Sequence, residues 1–304
     1  MLPEGHLARR IESLRFIDVG TLVASSATCA ERCACQPRLD LTQEPKSDGR
    51  GIALPVTVGV LIIGSLLWDD RHGRTDWRQR RLNVNARQPV WAPIRYGRFS
   101  DCRGTYTMVF SRLCYRQRRL GIAQVVPCVR PIRSPHELIE EADYLAKAEG
   151  LNKWTWGAIG ILTNPRANVP QGTLNGWKTY FADHARGCEV CSAHAKSESP
   201  LLSDNGILRI HWPTPVSRDT EVKLDLLLAT ATTPTLDRFG GAKRYARPDE
   251  IGRTYAQTAE PEYFIRNVRN GIRSNQDGGI WMAMVREHPK WIDKYADVGE
   301  LLSK

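Results

Sequence analysis

The sequence predicts an α+β fold: buried strands with flanking helices, followed by a C-terminal α-helical layer. Three observations predict it. Residues 56–68 form an apolar run rich in β-branched side chains that breaks at Gly64-Ser65-Leu66. Ser134-Pro135-His136-Glu137 opens a segment with apolar residues at helical spacing, and from Pro248 onward the apolar residues keep a helical period to the end of the chain.

The first strand is read from Val56, Val58, Val60, Ile62 and Ile63, which suit a strand buried on both faces. The whole run from Ala53 to Trp68 is too short for a membrane span and contains Pro55, Gly59 and Gly64. At its end Gly64 permits a positive φ and a close approach of other groups to bare backbone. Successive N–H groups in such a turn form an anion nest and Ser65 adds a hydroxyl, so a carboxylate or phosphate is the natural guest. The alternative is an ordinary strand-ending turn with Trp68 in the core.

Further strands are expected at Thr105 to Ser111, which alternates, at Leu120 to Cys128 and at Trp154 to Leu162. Arg116, Arg118 and Arg119 beside Tyr115 read as a solvated hairpin turn between the first two of these. Ser134 is an N-cap, Pro135 the first helical residue and Glu137 the N3 residue of a capping box. Leu138, Ile139, Ala142 and Leu145 form the apolar stripe, and Gly150 ends the helix just after Glu149. A helix over Thr173 to Ala185, then strand-like segments at Ile207 to Trp212 and Val222 to Ala229, complete the central part. The C-terminal helices carry Ile251, Tyr255, Tyr263, Phe264, Val268, Ile280, Trp281, Met284, Val285, Trp291 and Tyr295, with Gly271 and Gly278-Gly279 between them. This gives three regions: 1–52, a disordered extension or sequence upstream of a true start near Val56; 53–230, the sheet domain; and 231–304, α-helical.

Gly64, Ser65, Leu66 and Trp68, at the end of a first strand, together resemble the γ-glutamylcyclotransferase-like family, with Ile63 where that family has an aromatic residue. Ser100-Asp101-Cys102-Arg103-Gly104 is similar to the Asp-His-Arg-Gly signature of the family's glutathione-specific branch, with Cys102 in place of His. Glu149, just before a Gly, matches the family's catalytic acid/base better than Glu140 or Glu141. The resemblance spans roughly residues 56–165 and implies a compact mixed β-sheet or barrel with flanking helices, and an enzyme that cyclises a γ-glutamyl amide or peptide to 5-oxoproline without a cofactor. The substrate would be a small γ-glutamyl or other acidic metabolite, bound by Gly64, Ser65, Leu66, Ser100 and the guanidinium groups of Arg98 or Arg103, which suit a bidentate carboxylate clamp. Arg95, in the same stretch, reads as solvated loop. The competing expectation is a non-enzymatic module that binds a small acid or a partner on the same fold.

The chain has 304 residues and a formal net charge of +10, with an ordinary globular balance of 41% hydrophobic and 25% charged residues. A basic surface attracts anions of any kind. One tyrosine beside the Arg116–Arg119 cluster is thin support for nucleic acid, which ranks last among the expected partners. Arg9, Arg10 and Arg15 precede a short apolar stretch from Phe16 to Ala24, but Asp18 interrupts it and argues against export. Eight cysteines without regular spacing fit reduced thiols and a cytoplasmic setting, with Cys102, Cys114 and Cys128 as small core residues. His184, Cys188, Cys191 and His194 offer four soft ligands within eleven residues. Structural zinc sites usually draw two ligand pairs from separated knuckles, so no metal is expected and the segment reads as a helix end and loop.

Overall fold

The computed structural model describes residues 55–151, 156–185, 201–236, 244–258 and 261–303. In chain order the strands are β1 (Val58–Ile62), β2 (Gln88–Ala92), β3 (Ile94–Ser100), β4 (Thr105–Phe110), β5 (Gly121–Pro127), β6 (Gly157–Thr163), β7 (Thr214–Pro215) and β8 (Leu226–Thr232). Six of them form one mixed sheet in the order β6-β8-β1-β5-β2-β7, while β3 and β4 form a separate antiparallel hairpin. Among the described residues β6 and β7 do not pair with each other, so the sheet these strands form is open.

β1 sits inside this sheet, antiparallel to β5 through Val60↔Val126 and parallel to β8 through Val60↔Leu228. All five of its residues are buried, as a strand covered on both faces requires. The parallel pair β1/β8 points both carboxyl ends the same way. The Gly64 turn follows one of those ends, and Thr230 and Thr232 occupy the other.

The helices are α1 (Arg74–Arg81), α2 (Leu113–Arg116), α3 (Pro135–Glu149), α4 (Gln171–Ala185), α5 (Pro248–Ala256), α6 (Glu262–Arg269), α7 (Asp277–Glu287), α8 (Trp291–Lys294) and α9 (Ala296–Ser303). In α3 the side chain of Ser134 accepts a hydrogen bond from Glu137 N at 3.2 Å, and Pro135 opens the first turn. The reciprocal half of the box is displaced by one residue, since the Glu137 carboxylate takes the N–H of Arg133. Leu138, Ala142 and Leu145 are fully buried against the sheet and α4. Burying each leucine stabilises the helix by about 2 kcal/mol. Gly150, at φ 79°, ends it in the left-handed conformation that only glycine adopts without strain.

The C-terminal helices pack on the rest of the domain. The hydroxyl of Tyr255 on α5 donates to Tyr106 O of β4, and α6 lies against the Ser65–Leu67 turn. Phe264, Ile265 and Tyr255 are fully buried in the same apolar core as β1 and β5.

Several expectations are corrected. Residues 94–100 are a strand, so Arg95 is held in β3 with its guanidinium over the Tyr245 ring. β4 is buried at all six positions and not alternating, because the hairpin is covered on one face by the domain and on the other by C-terminal residues. Arg116 begins no hairpin turn: β4 and β5 lie in different sheets, joined through α2. Residues 207–212 make only isolated bridges, at Ile161↔Ile207 and Leu202↔Leu208, and β8 starts at Leu226 and pairs with β6 and β1 instead. Gly278 and Gly279 fall inside α7. Cys102 is exposed in the hairpin turn, whereas Cys114 is buried. Residues 1–52 and Cys188, Cys191 and His194 lie outside the described residues.

Candidate functional site

The turn after β1 is a short 3-10 segment, Ser65–Leu67. Its first internal donor is Leu67 N, to Gly64 O at 3.2 Å, so the turn makes no use of the N–H groups of Ser65 and Leu66. Gly64 has φ −173°, which corrects the expected positive φ: any residue can adopt this backbone. Glycine is needed there for space. A Cβ on Gly64 would come within 2.4 Å of the Tyr263 hydroxyl, which reaches the turn from α6 and accepts a hydrogen bond from Met108 N at 3.2 Å.

Directly after the turn stands Asp69, a buried carboxylate that organises the arginines around it. It accepts from Arg71 Nη2 at 2.7 Å, Arg74 Nη1 at 2.9 Å and Arg103 Nη2 at 2.7 Å. Burial acts to raise its pKa, but the hydrogen bonds from Arg71 and Arg103 and the charge of Arg74 outweigh it and hold the carboxyl well below the usual carboxylate range.

Arg74, at the start of α1, joins three parts of the site. Its Nη1 also donates to Ser65 Oγ at 3.1 Å, its Nε donates to Ala148 O at 2.7 Å, and its Nη2 makes a long contact of 3.4 Å with Glu149 Oε2. A second long contact, 3.4 Å, runs from Arg103 Nη2 to Ser65 Oγ. Both groups around the Ser65 hydroxyl are therefore donors, which leaves its own proton to be given to a ligand.

Glu149 lies at the C-terminus of α3, with its side chain turned inward and 16% exposed. Burial pushes its pKa up. The charges of Arg74, Arg98 and Arg103 and the nearby Thr230 hydroxyl oppose that shift without cancelling it. Glu140 and Glu141 are directed elsewhere, onto Arg81. Asp101 is exposed in the hairpin turn.

Arg98 and Arg103 play different parts. Arg103 is committed to Asp69 and lies 5.4 Å from the centroid of the Tyr263 ring. The guanidinium of Arg98 stacks on Trp156 at 4.4 Å and forms no ion pair among the described residues. Burial lowers its pKa, partly offset by the nearby Glu149 carboxylate. Counting Arg71, Arg74, Arg98 and Arg103 against Asp69 and an ionised Glu149, four positive charges face two negative ones. The site favours a further anion, with Arg98 the cation available to it. Ser100 ends β3 at the rim of the hairpin turn, partly exposed.

Of the residues singled out in the sequence, the structure thus brings together Gly64, Ser65, Leu66, Arg103 and Glu149, with Arg98 coupled electrostatically to Glu149. Sequence reasoning missed Asp69, Arg74, Thr230, Trp156 and Tyr263. Asp69 carried a signal, one residue beyond the Gly-Ser-Leu-x-Trp run. Arg74 did not, because four arginines and an aspartate in the eight residues of α1 look like a solvated helix.

Elsewhere, a cavity of about 710 Å³ between α1, α3 and residues 129–133 is lined by Trp77, Arg81, Tyr144 and Lys147; it reaches Gly73 and Ala148 but includes neither Ser65 nor Glu149. His184 of the sequence cluster holds Tyr180 O with Nδ1 at 2.9 Å, and no group of three or more metal-ligating side chains occurs among the described residues. Nor is any helix among them long and apolar enough to cross a membrane. No family model, curated protein or solved structure matches the chain.

Proposed function

We propose that the chain is a γ-glutamylcyclotransferase-like enzyme, which converts a γ-glutamyl amide or peptide to 5-oxoproline and releases the amine. The observation that carries this reading is the span of Arg74: one guanidinium touches both the Ser65 hydroxyl of the turn after β1 and the half-buried carboxylate of Glu149, whose pKa burial raises.

In the proposed complex the glutamyl α-carboxylate meets the Ser65 and Leu66 N–H groups and the Ser65 hydroxyl, with Arg98 supplying the long-range charge. That orientation brings the α-amine toward its own γ-carbonyl, where an intramolecular attack gains most from positioning. Glu149 takes a proton from the α-ammonium group. The free amine attacks the γ-carbon, Glu149 gives its proton to the leaving nitrogen as the γ C–N bond breaks, and the carboxylate then takes the second proton from the ring nitrogen, leaving the five-membered lactam and passing that proton to the released amine. A carboxylate whose burial raises its pKa is the better base for this step. Nothing in the sequence of proton transfers calls for a cofactor.

One observation favours the second reading, a module that binds a small acid without turning it over. Glu149 already serves as a counter-ion to Arg74, which a purely structural carboxylate would also do. Incubation with γ-glutamyl amino acids, γ-glutamyl amines and glutathione, with 5-oxoproline as the product measured, separates the two. Turnover of any of them supports the enzyme; saturable binding of a γ-glutamyl compound with no 5-oxoproline supports the module.

A further inference from the structure

We propose that the surface built from α2, the loop around residues 209–214 and the exposed side of β2 binds single-stranded nucleic acid. The proposal is independent of the site around Ser65 and Glu149.

The sequence between Leu82 and His136 contains ten arginines and a single carboxylate, Asp101. Four of those arginines, Arg112, Arg116, Arg118 and Arg119, fall on α2 and the turn after it, and the last three are exposed. Arg209 is exposed on the neighbouring loop. None of the five forms an ion pair among the described residues, in contrast to the arginines around Asp69. A cluster of guanidinium groups without ion-pair partners among the described residues repels itself. It is relieved by a polyanion, whose phosphates each match the planar fork of an arginine.

The fold places aromatic faces beside this charge. His211 N donates to the Tyr115 hydroxyl at 2.8 Å, and the two rings lie 4.4 Å apart at 32°, joining the loop to α2. Trp91 of β2, 39% exposed, pairs in register with Thr214, three residues beyond His211. Ser111 N, at the entry to α2, donates to Pro93 O just past the end of β2, at 2.7 Å. The strand that carries Trp91 thus runs beside the segment that carries His211, and His211 is joined to Tyr115 of α2. Unstacked bases can lie on such faces while the backbone follows the arginines. Duplex DNA fits less well, because α2 has four residues and is too short to fill a major groove.

The test is fluorescence anisotropy of a labelled 20-nucleotide single strand with the full chain. Five phosphate contacts at about 0.7 counterions each predict roughly a 100-fold loss of affinity between 50 and 200 mM salt. R116E/R118E should weaken binding by more than ~10-fold and flatten the salt dependence. W91A should weaken it several-fold with the salt dependence unchanged. Both variants are to be compared with the parent by thermal melting, so that a loss of fold is not read as a loss of binding. The proposal is overturned by absence of binding at 50 mM salt, by unchanged affinity in folded R116E/R118E, by equal affinity for a duplex of the same length, or by preference for phosphatidylserine vesicles over the oligonucleotide.

Discussion

Asp69 and Glu149 share the guanidinium of Arg74 and respond to their surroundings in opposite ways. Asp69 is nearly inaccessible but accepts hydrogen bonds from three arginines, and its carboxyl is held well below the usual range. Glu149 meets one long arginine contact at the end of a helix, where the dipole also opposes a negative charge, and burial drives its pKa up. At Asp69 three short donor contacts overcome burial; at Glu149 one long contact does not. The first arrangement holds the site together; the second leaves a carboxylate able to take up a proton.

The largest expected effect on stability comes from removing the charge at Asp69. In D69N three guanidinium groups lose their shared counter-ion, and breaking a buried pair of this kind costs about 3–5 kcal/mol. Thermal melting should show a fall on the order of 10 °C. A melting point within two or three degrees of the parent would mean that the arginines are held by something other than Asp69.

A smaller loss is expected at the turn itself. G64A forces a methyl against the Tyr263 hydroxyl, at 2.4 Å in the present packing, and overpacking of this kind costs about 1–3 kcal/mol. Y263F removes the oxygen in the way, so G64A/Y263F should recover part of the loss. Chemical denaturation of the four proteins gives the coupling directly, and strictly additive costs would refute the steric explanation.

The smallest stability effect, and one of opposite sign, is expected at Glu149. Because its folded pKa is raised, the protonated form is favoured by folding, and the associated stability is lost as pH rises through the ordinary carboxylate range to the raised value. At neutral pH E149Q removes that penalty and should leave the melting point unchanged or slightly higher. Asp69 behaves in reverse: its contribution is present above the ordinary aspartate pKa and is lost as pH falls below it. Melting curves from pH 3 to 8 should therefore show D69N losing least relative to the parent at the acid end, and E149Q gaining most at the neutral end. A loss of several degrees for E149Q at neutral pH would assign Glu149 to the structural network with Asp69.

What the sequence made legible was local. β1 announced itself through a run of β-branched residues, and α3 through Ser134, Pro135 and Gly150, because caps and periodicity are written in adjacent positions. β3 was less so, since Pro93, Gly97 and two arginines mask a strand whose hydrogen bonds go to β4 and whose aromatic contacts come from Trp156 and Tyr245. The part of the site that depends on distance in sequence was not readable. Arg74 reaches Glu149 across 75 positions, and Tyr263 meets Gly64 from a helix almost two hundred residues later. No periodicity records such contacts. The same limit applied to the basic turn at Arg116–Arg119, where the neighbouring rings of His211 and Trp91 appear only once the chain is folded.

The most direct measurement is the rate of 5-oxoproline formation by the parent and E149Q on the best γ-glutamyl substrate, with substrate affinity measured in parallel. Loss of the proton acceptor predicts a rate about 10²–10⁴-fold lower, with affinity changed only a few-fold because the turn and the arginines supply the ground-state contacts. An E149Q protein that forms 5-oxoproline as fast as the parent would contradict the assignment of Glu149 as the base.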